Sequence, residues 1–154
     1  NGLAYEIKMQ EDSIFDLSSV TKIFTCIVVL QLIKEQIIKI DSKIGQLDKR
    51  FKYLQDVTIK DLLSFRVPLR TDDRIENALS YEDAEYLILN IKPDYTQSRL
   101  YTDMGAIVLS YVVESVTGTD LYNLVRKYIL DPCDMKDTVL VIRPEEESQI
   151  IIIV

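Results

Sequence analysis

The pattern of hydrophobic and polar positions predicts a chain of helices separated by short turns. In the segment that ends near Glu35, apolar residues recur at the spacing of one helix face. The residues of this apolar stripe are Ile23, Cys26, Ile27, Leu30 and Ile33. The pattern predicts a helix with this stripe as its apolar face and with Ser18 or Ser19 as its N-cap.

Five further helices and three strands follow from the same patterns. The helices are predicted from Asp41 toward Leu47, from Thr58 to before Pro68, from Ser80 to about Ile91, from about Asp103 to Val116, and from Thr119 to before Pro132. The strands are predicted at Leu3 to Met9, Val139 to Ile142 and Gln149 to Val154. Local signals support the helix boundaries: Thr58 with Asp61 and Ser80 with Asp83 form capping patterns, and Gly118 is placed for a left-handed C-terminal turn.

Length and charge limit the classes of protein that fit. A chain of 154 residues can bury one core, so a single domain over residues 1–154 is expected. The net charge of −7 argues against a nucleic-acid or anionic-membrane partner. The longest apolar stretch, Ile23 to Ile33, is too short to span a bilayer, and no signal peptide is visible.

The cysteine and histidine content excludes two kinds of site. Cys26 and Cys133 are the only cysteines and there is no histidine, so a four-ligand zinc site is not expected and no metal is predicted. A Ser-His-Asp triad is equally impossible within the chain. Any serine chemistry here therefore needs another residue to take the proton.

Ser19 and Lys22 offer such a pair. They lie three residues apart at the head of the predicted helix, a spacing that brings side chains together on one face. A helix start also favours a developing alkoxide. The alternative is a structural role, in which Ser18 and Ser19 cap a helix and Lys22 is a solvated surface residue.

Several motifs, in order, resemble one known family. The run from Phe15 to Thr25, which contains Ser19 and Lys22, is similar to the Ser-x-x-Lys motif of the serine β-lactamase and penicillin-binding-protein superfamily, in its class C, DD-peptidase and esterase branch. Tyr101-Thr102-Asp103 resembles the Tyr-x-Asn motif of that branch, and the run from Asp131 to Thr138 resembles its Pro-Leu-Gly-Met-x-x-Thr ending. The resemblance covers roughly residues 14–142.

The resemblance implies both a fold and an activity. It implies an α+β, β-lactamase/transpeptidase-like fold, represented here mostly by the helical region with a few flanking strands. Ser19 would attack an ester or amide carbonyl, Lys22 would take its proton, Tyr101 would assist, and Asp103 would contact the substrate in place of the motif's asparagine. The substrate would be a D-alanyl peptide, a β-lactam or a small ester, no cofactor would be needed, and the location would be extracytoplasmic or in the cell envelope.

Two departures from the family pattern keep other interpretations open. The third motif, Lys-Thr-Gly or His-x-Gly, does not occur in the sequence, so we expect the domain to be incomplete. The run from Ser64 to Leu69, which includes Phe65, stands where relatives have a His-x-Ser-Gly-Leu turn. The alternatives are a catalytically silent binding or sensor domain and a plain helical interaction domain. The apolar Gln149 to Val154 strand would favour self-association.

Overall fold

The computed structural model describes residue 11 and residues 16–96 and 100–139. The strands predicted at Leu3 to Met9 and Gln149 to Val154, and nearly all of the one at Val139 to Ile142, lie outside these residues. The α-helices are α1 (Thr21–Lys34), α2 (Ile44–Leu47), α3 (Ile59–Leu63), α4 (Tyr81–Leu89), α5 (Met104–Thr117) and α6 (Leu121–Val125). Three shorter helical segments and two strands accompany them: 3₁₀ turns at Ser18–Val20 and Ile75–Asn77, a π-helical turn at Arg126–Leu130, and strands β1 (Leu69–Arg70) and β2 (Lys92–Pro93).

Helix α1 packs against α5, α6 and the π-helical turn. Its fully buried side chains are Val28, Val29 and Leu32, and Thr21 and Thr25 are nearly as buried. Within the described residues, every helix is too short or too polar to span a bilayer. The buried face of α1 therefore forms one side of a hydrophobic core to which elements from most of the described chain contribute.

The predicted apolar stripe of α1 is on the wrong face. Ile23, Ile27 and Leu30 are 55%, 39% and 53% exposed, whereas the packed face includes two threonines. The prediction fails because α1 is apolar on nearly all sides, so the sequence alone does not single out the side that α5 and α6 cover. A helix that is apolar on nearly all sides is typical of a position between two layers of secondary structure.

The predicted helix boundaries are right where the signal is local. Asp61 N–H donates to Thr58 Oγ1 at 3.2 Å and Thr58 N–H donates to Asp61 Oδ2 at 3.0 Å, which completes the capping box of α3. Ser80 caps α4 by accepting from Asp83 N–H, and Gly118 ends α5 with φ +67°. The predicted cap at Thr119 is wrong: the next residue, Asp120, caps α6 because its carboxylate reaches Asn123 N–H at 2.9 Å.

A small antiparallel ribbon was not predicted. Leu69 of β1 lies opposite Pro93 of β2, and Arg70 lies opposite Lys92. With two residues in each strand and a proline in one of them, neither strand has an alternating pattern that a sequence would reveal. The ribbon holds the segment after α3 beside the segment that leads to Tyr101.

Candidate active site

Ser19 lies in a tight turn at the entrance to α1. The 3₁₀ turn Ser18–Val20 is closed by a hydrogen bond from Val20 N–H to Leu17 O at 2.9 Å. Ser18 has a left-handed backbone, with φ +45°, and its N–H donates to Asp16 Oδ1 at 2.7 Å. Neither serine caps α1, which corrects the prediction, because this extra turn makes Val20 the N-cap residue. The Ser19 side chain is consequently available for other contacts.

Lys22 contacts Ser19 directly. It lies in the first turn of α1, and its Nζ donates to Ser19 Oγ at 3.0 Å, as the spacing of the pair predicts. The same ammonium forms an ion pair with Asp103. The Lys22 side chain is only 15% exposed although Asp103 is 68% exposed, so the lysine lies in a recess while its partner faces solvent.

Tyr101 completes the cluster. The Lys22 Nζ lies 5.2 Å from the centre of its ring, and its phenol interacts with Ser19 and Lys22. A purely structural role for these two residues would place Tyr101 in the core and make Asp103 a helix cap. The structure instead leaves Tyr101 61% exposed, and although Asp103 is the N-cap residue of α5, its side chain makes no capping hydrogen bond. The structure thus brings together Ser19, Lys22, Tyr101 and Asp103, all four of the predicted site residues.

The contacts shift two pKa values in opposite directions. Burial lowers the pKa of Lys22, but hydrogen bonds with Asp103 and Tyr101 outweigh it, and the net result is a raised pKa. Hydrogen bonds with Ser19 and then with Lys22 lower the pKa of the Tyr101 phenol. Lys22 is therefore held charged, and of the two groups Tyr101 is the one moved toward losing its proton.

Phe65, which follows the end of α3, contacts the Tyr101 side chain. Its ring stacks on the Tyr101 ring, with centres 5.2 Å apart and planes inclined by 29°. The Phe65 backbone is left-handed, with φ +51°, which is strained for a bulky residue and is common at functional sites. The sequence marked Phe65 only as a departure from the family turn, and no local pattern shows that it would meet Tyr101.

The four residues form an open surface site. Ser19, Tyr101 and Asp103 are all exposed, and a cleft of about 390 Å³ elsewhere in the described residues contains none of the four. Within residues 16–96 and 100–139, no three His, Cys, Asp or Glu side chains are grouped as a metal site would require. The chemistry available to this cluster is that of a hydroxyl, a phenol, an ammonium and a carboxylate.

Comparison with known proteins gives a family and a fold. A family model described as beta-lactamase matches residues 2–150. FmtA from Staphylococcus aureus shares 24% identity over 75% of this chain and 34% of its own, with a TM-score of 0.65. An octameric penicillin-binding protein homologue from Pyrococcus abyssi shares 21% identity over 77% of this chain and 31% of its own, with a TM-score of 0.61.

A third solved structure belongs to a Bacillus anthracis protein assigned as a 6-aminohexanoate-dimer hydrolase. It shares 18% identity over 71% of this chain and 35% of its own, with a TM-score of 0.56. No curated protein matches the chain in sequence. The chain spans about a third of the length of each of these three structures, so the similarity shows the β-lactamase/transpeptidase-like fold for its helical region.

Proposed function

Because the chain belongs to the beta-lactamase family, we propose that its four-residue cluster is an acyl-transfer site with Ser19 as the nucleophile. The observation that carries the proposal is the shared contact of Lys22 with Ser19, Tyr101 and Asp103. A hydroxyl needs a neighbouring base and a fixed orientation to attack a carbonyl, and this cluster offers both. The general class is that of a serine hydrolase.

In the proposed reaction the hydroxyl proton of Ser19 passes to the Tyr101 oxygen as Ser19 Oγ attacks an ester or amide carbonyl. Collapse of the tetrahedral intermediate breaks the bond to the leaving group, which departs with the proton from Tyr101. Ser19 is left as an acyl ester. Water, or another acceptor, then attacks this ester with Tyr101 again as the base, which releases the acyl group and restores Ser19.

The geometry favours Tyr101 over Lys22 as the proton acceptor. The ion pair with Asp103 keeps Lys22 charged, so in its 3.0 Å contact with Ser19 Oγ the lysine donates rather than accepts. A charged lysine cannot take a proton, but it stabilises both a Tyr101 phenolate and the developing alkoxide. Lys22 is thus assigned to electrostatic stabilisation, whereas the sequence resemblance had given it the role of base.

The remaining parts of an acyl-transfer site are less complete. The Ser19 N–H, in the first helical turn, is proposed as one donor to the oxyanion. A second donor and a wall for the substrate come, in the family pattern, from the strand with the third motif, and that motif does not occur in the sequence. Since loss of one oxyanion donor lowers turnover by about 10²–10³, we expect this chain to acylate slowly and to turn over poorly.

The proposed substrates are a D-alanyl peptide, a β-lactam or a small ester. The names of two of the similar structures, a penicillin-binding protein homologue and a dimer hydrolase, support an amide-type acyl group. One of those proteins is described as octameric, which supports our further proposal that this chain self-associates through the apolar run Gln149 to Val154.

Turnover of these substrates tests the proposed function. A p-nitrophenyl ester, nitrocefin and a D-alanyl-D-alanine peptide should be incubated with the chain, with Ser19→Ala and with the matched neighbour Ser18→Ala. We expect slow release of product from at least one substrate, unchanged in Ser18→Ala and lost in Ser19→Ala. Equal release by Ser19→Ala, or none by the unchanged chain, would count against a hydrolase and in favour of a silent binding domain.

A further inference from the structure

Two cations face each other across the β1–β2 ribbon. Arg70 lies directly opposite Lys92, and like charges in this position destabilise a strand pair. Lys92 is neutralised by Asp72, which it contacts at 2.7 Å. Within the part of the chain that the structure describes, the Arg70 side chain has neither an ion pair nor a hydrogen bond, and its charge is balanced only by a longer-range attraction to Asp72.

A cleft of about 390 Å³ opens beside this pair. Its lining includes Tyr53, Asp56, Arg70, Lys92 and Tyr95. The one carboxylate in this lining, Asp56, is held by Lys43 at 2.7 Å. Among the lining residues, Arg70 is therefore the cation without an ion pair, and the acidic residue is already engaged.

The cleft also presents aromatic rings. Tyr53 and Tyr95 are 50% and 78% exposed, and the Lys92 Nζ lies 5.1 Å from the centre of the Tyr53 ring. Exposed tyrosines next to a cation can hold a flat ring by stacking and its charge by pairing. A volume of this size is within the range of small-molecule sites.

We propose that this cleft binds a small organic anion in which a carboxylate or phosphate group is attached to a flat ring. Arg70 pairs with the oxyanion, since a guanidinium offers two parallel N–H donors to either group. Tyr53 and Tyr95 contact the ring.

The proposal separates binding from stability in a way that a structural role for Arg70 does not. Removing the charge of Arg70 removes a repulsion from Lys92 and an attraction to Asp72 together, so Arg70→Gln should unfold within about 1 °C of the unchanged protein. The same substitution should weaken ligand binding at least tenfold. If Arg70 served the fold alone, its loss would lower the unfolding temperature and no ligand would depend on its charge.

The test is a titration at low salt that is monitored by calorimetry or NMR. The ligands are phenyl phosphate, benzoate, inorganic phosphate and the uncharged benzyl alcohol. We expect phenyl phosphate or benzoate to bind at least tenfold more tightly than benzyl alcohol, and the tighter of the two identifies the anion. Arg70→Gln should weaken this binding at least tenfold and Arg70→Lys should weaken it less. Arg74→Gln, an exposed arginine outside the cleft, should leave it within twofold.

Three results would overturn the proposal: equal binding of benzyl alcohol, unchanged binding by Arg70→Gln, or a lower unfolding temperature for Arg70→Gln. If inorganic phosphate binds as tightly as phenyl phosphate, contacts of Tyr53 and Tyr95 with a ring are not part of the site. Ser19→Ala should bind as the unchanged protein does, which keeps this site distinct from the acyl-transfer site.

Discussion

Helix α1 has two apolar faces, and only one of them is packed. Val28, Val29 and Leu32 are completely buried against α5 and α6. On the opposite side, Ile23 and Leu30 are more than half exposed. The two faces are about equally hydrophobic, so the hydrophobicity of α1 does not predict which of them α5 and α6 cover.

The candidate active-site residues lie at the border between the packed and the exposed face of α1. Lys22, in the first turn of α1, is mostly covered and contacts Ser19, which is exposed in the preceding 3₁₀ turn. Tyr101 and Asp103 reach this border from the segment before α5. The packed face of α1 therefore fixes the position of the reactive groups, while the groups themselves stay accessible.

Paired truncations on the two faces should have very different effects on stability. Leu32→Ala removes a completely buried side chain and should lower the free energy of unfolding by about 2–5 kcal/mol. Leu30→Ala, two residues away on the open face, should change it by less than about 0.5 kcal/mol. Urea unfolding of both variants measures the difference, and similar losses would mean that the open face is packed in solution.

The same contrast explains how far the sequence could predict the structure. Caps such as Thr58 with Asp61, the turn at Gly118 and the meeting of Ser19 with Lys22 depend on residues three or four positions apart, and these contacts were predicted. The packed face of α1 and the stacking of Phe65 on Tyr101 depend on distant parts of the chain. A sequence pattern contains no direct record of such contacts, so the first was predicted wrongly and the second was missed.

The negative charge of Asp103 should control the pH dependence of acylation. Asp103 raises the pKa of Lys22 by hydrogen bonding and also raises that of Tyr101 through its charge. In Asp103→Asn both pKa values fall, so the Tyr101 phenolate forms at lower pH. We expect the rate of Ser19 acylation near pH 7 to rise about tenfold, and the whole rate profile to shift toward lower pH.

Replacing Lys22 with arginine, whose charge is fixed, provides the control for that measurement. Lys22→Arg keeps the positive charge but can never act as a base, so acylation should be slowed yet retained if Tyr101 takes the proton. Its complete loss, together with an unshifted profile in Asp103→Asn, would assign the base to Lys22.

A smaller effect is expected at Phe65, which positions Tyr101 without touching the substrate. Phe65→Leu removes the ring stack and should slow acylation about threefold to tenfold, because an aromatic pair contributes about 0.5–1.5 kcal/mol. Phe65→Tyr retains a ring and should act as the unchanged protein does. If Phe65 matters only for folding, the two variants will instead differ in unfolding free energy and not in the rate measured on the folded fraction.

The most direct test of the central claim is the position of a covalent adduct. The chain should be treated with a fluorescent penicillin or a fluorophosphonate, digested, and mapped by mass spectrometry, with Ser18→Ala and Ser19→Ala treated in parallel. The account predicts one adduct, on Ser19, which is kept in Ser18→Ala and lost in Ser19→Ala. An adduct on Ser18, or equal labelling of Ser19→Ala, would contradict it.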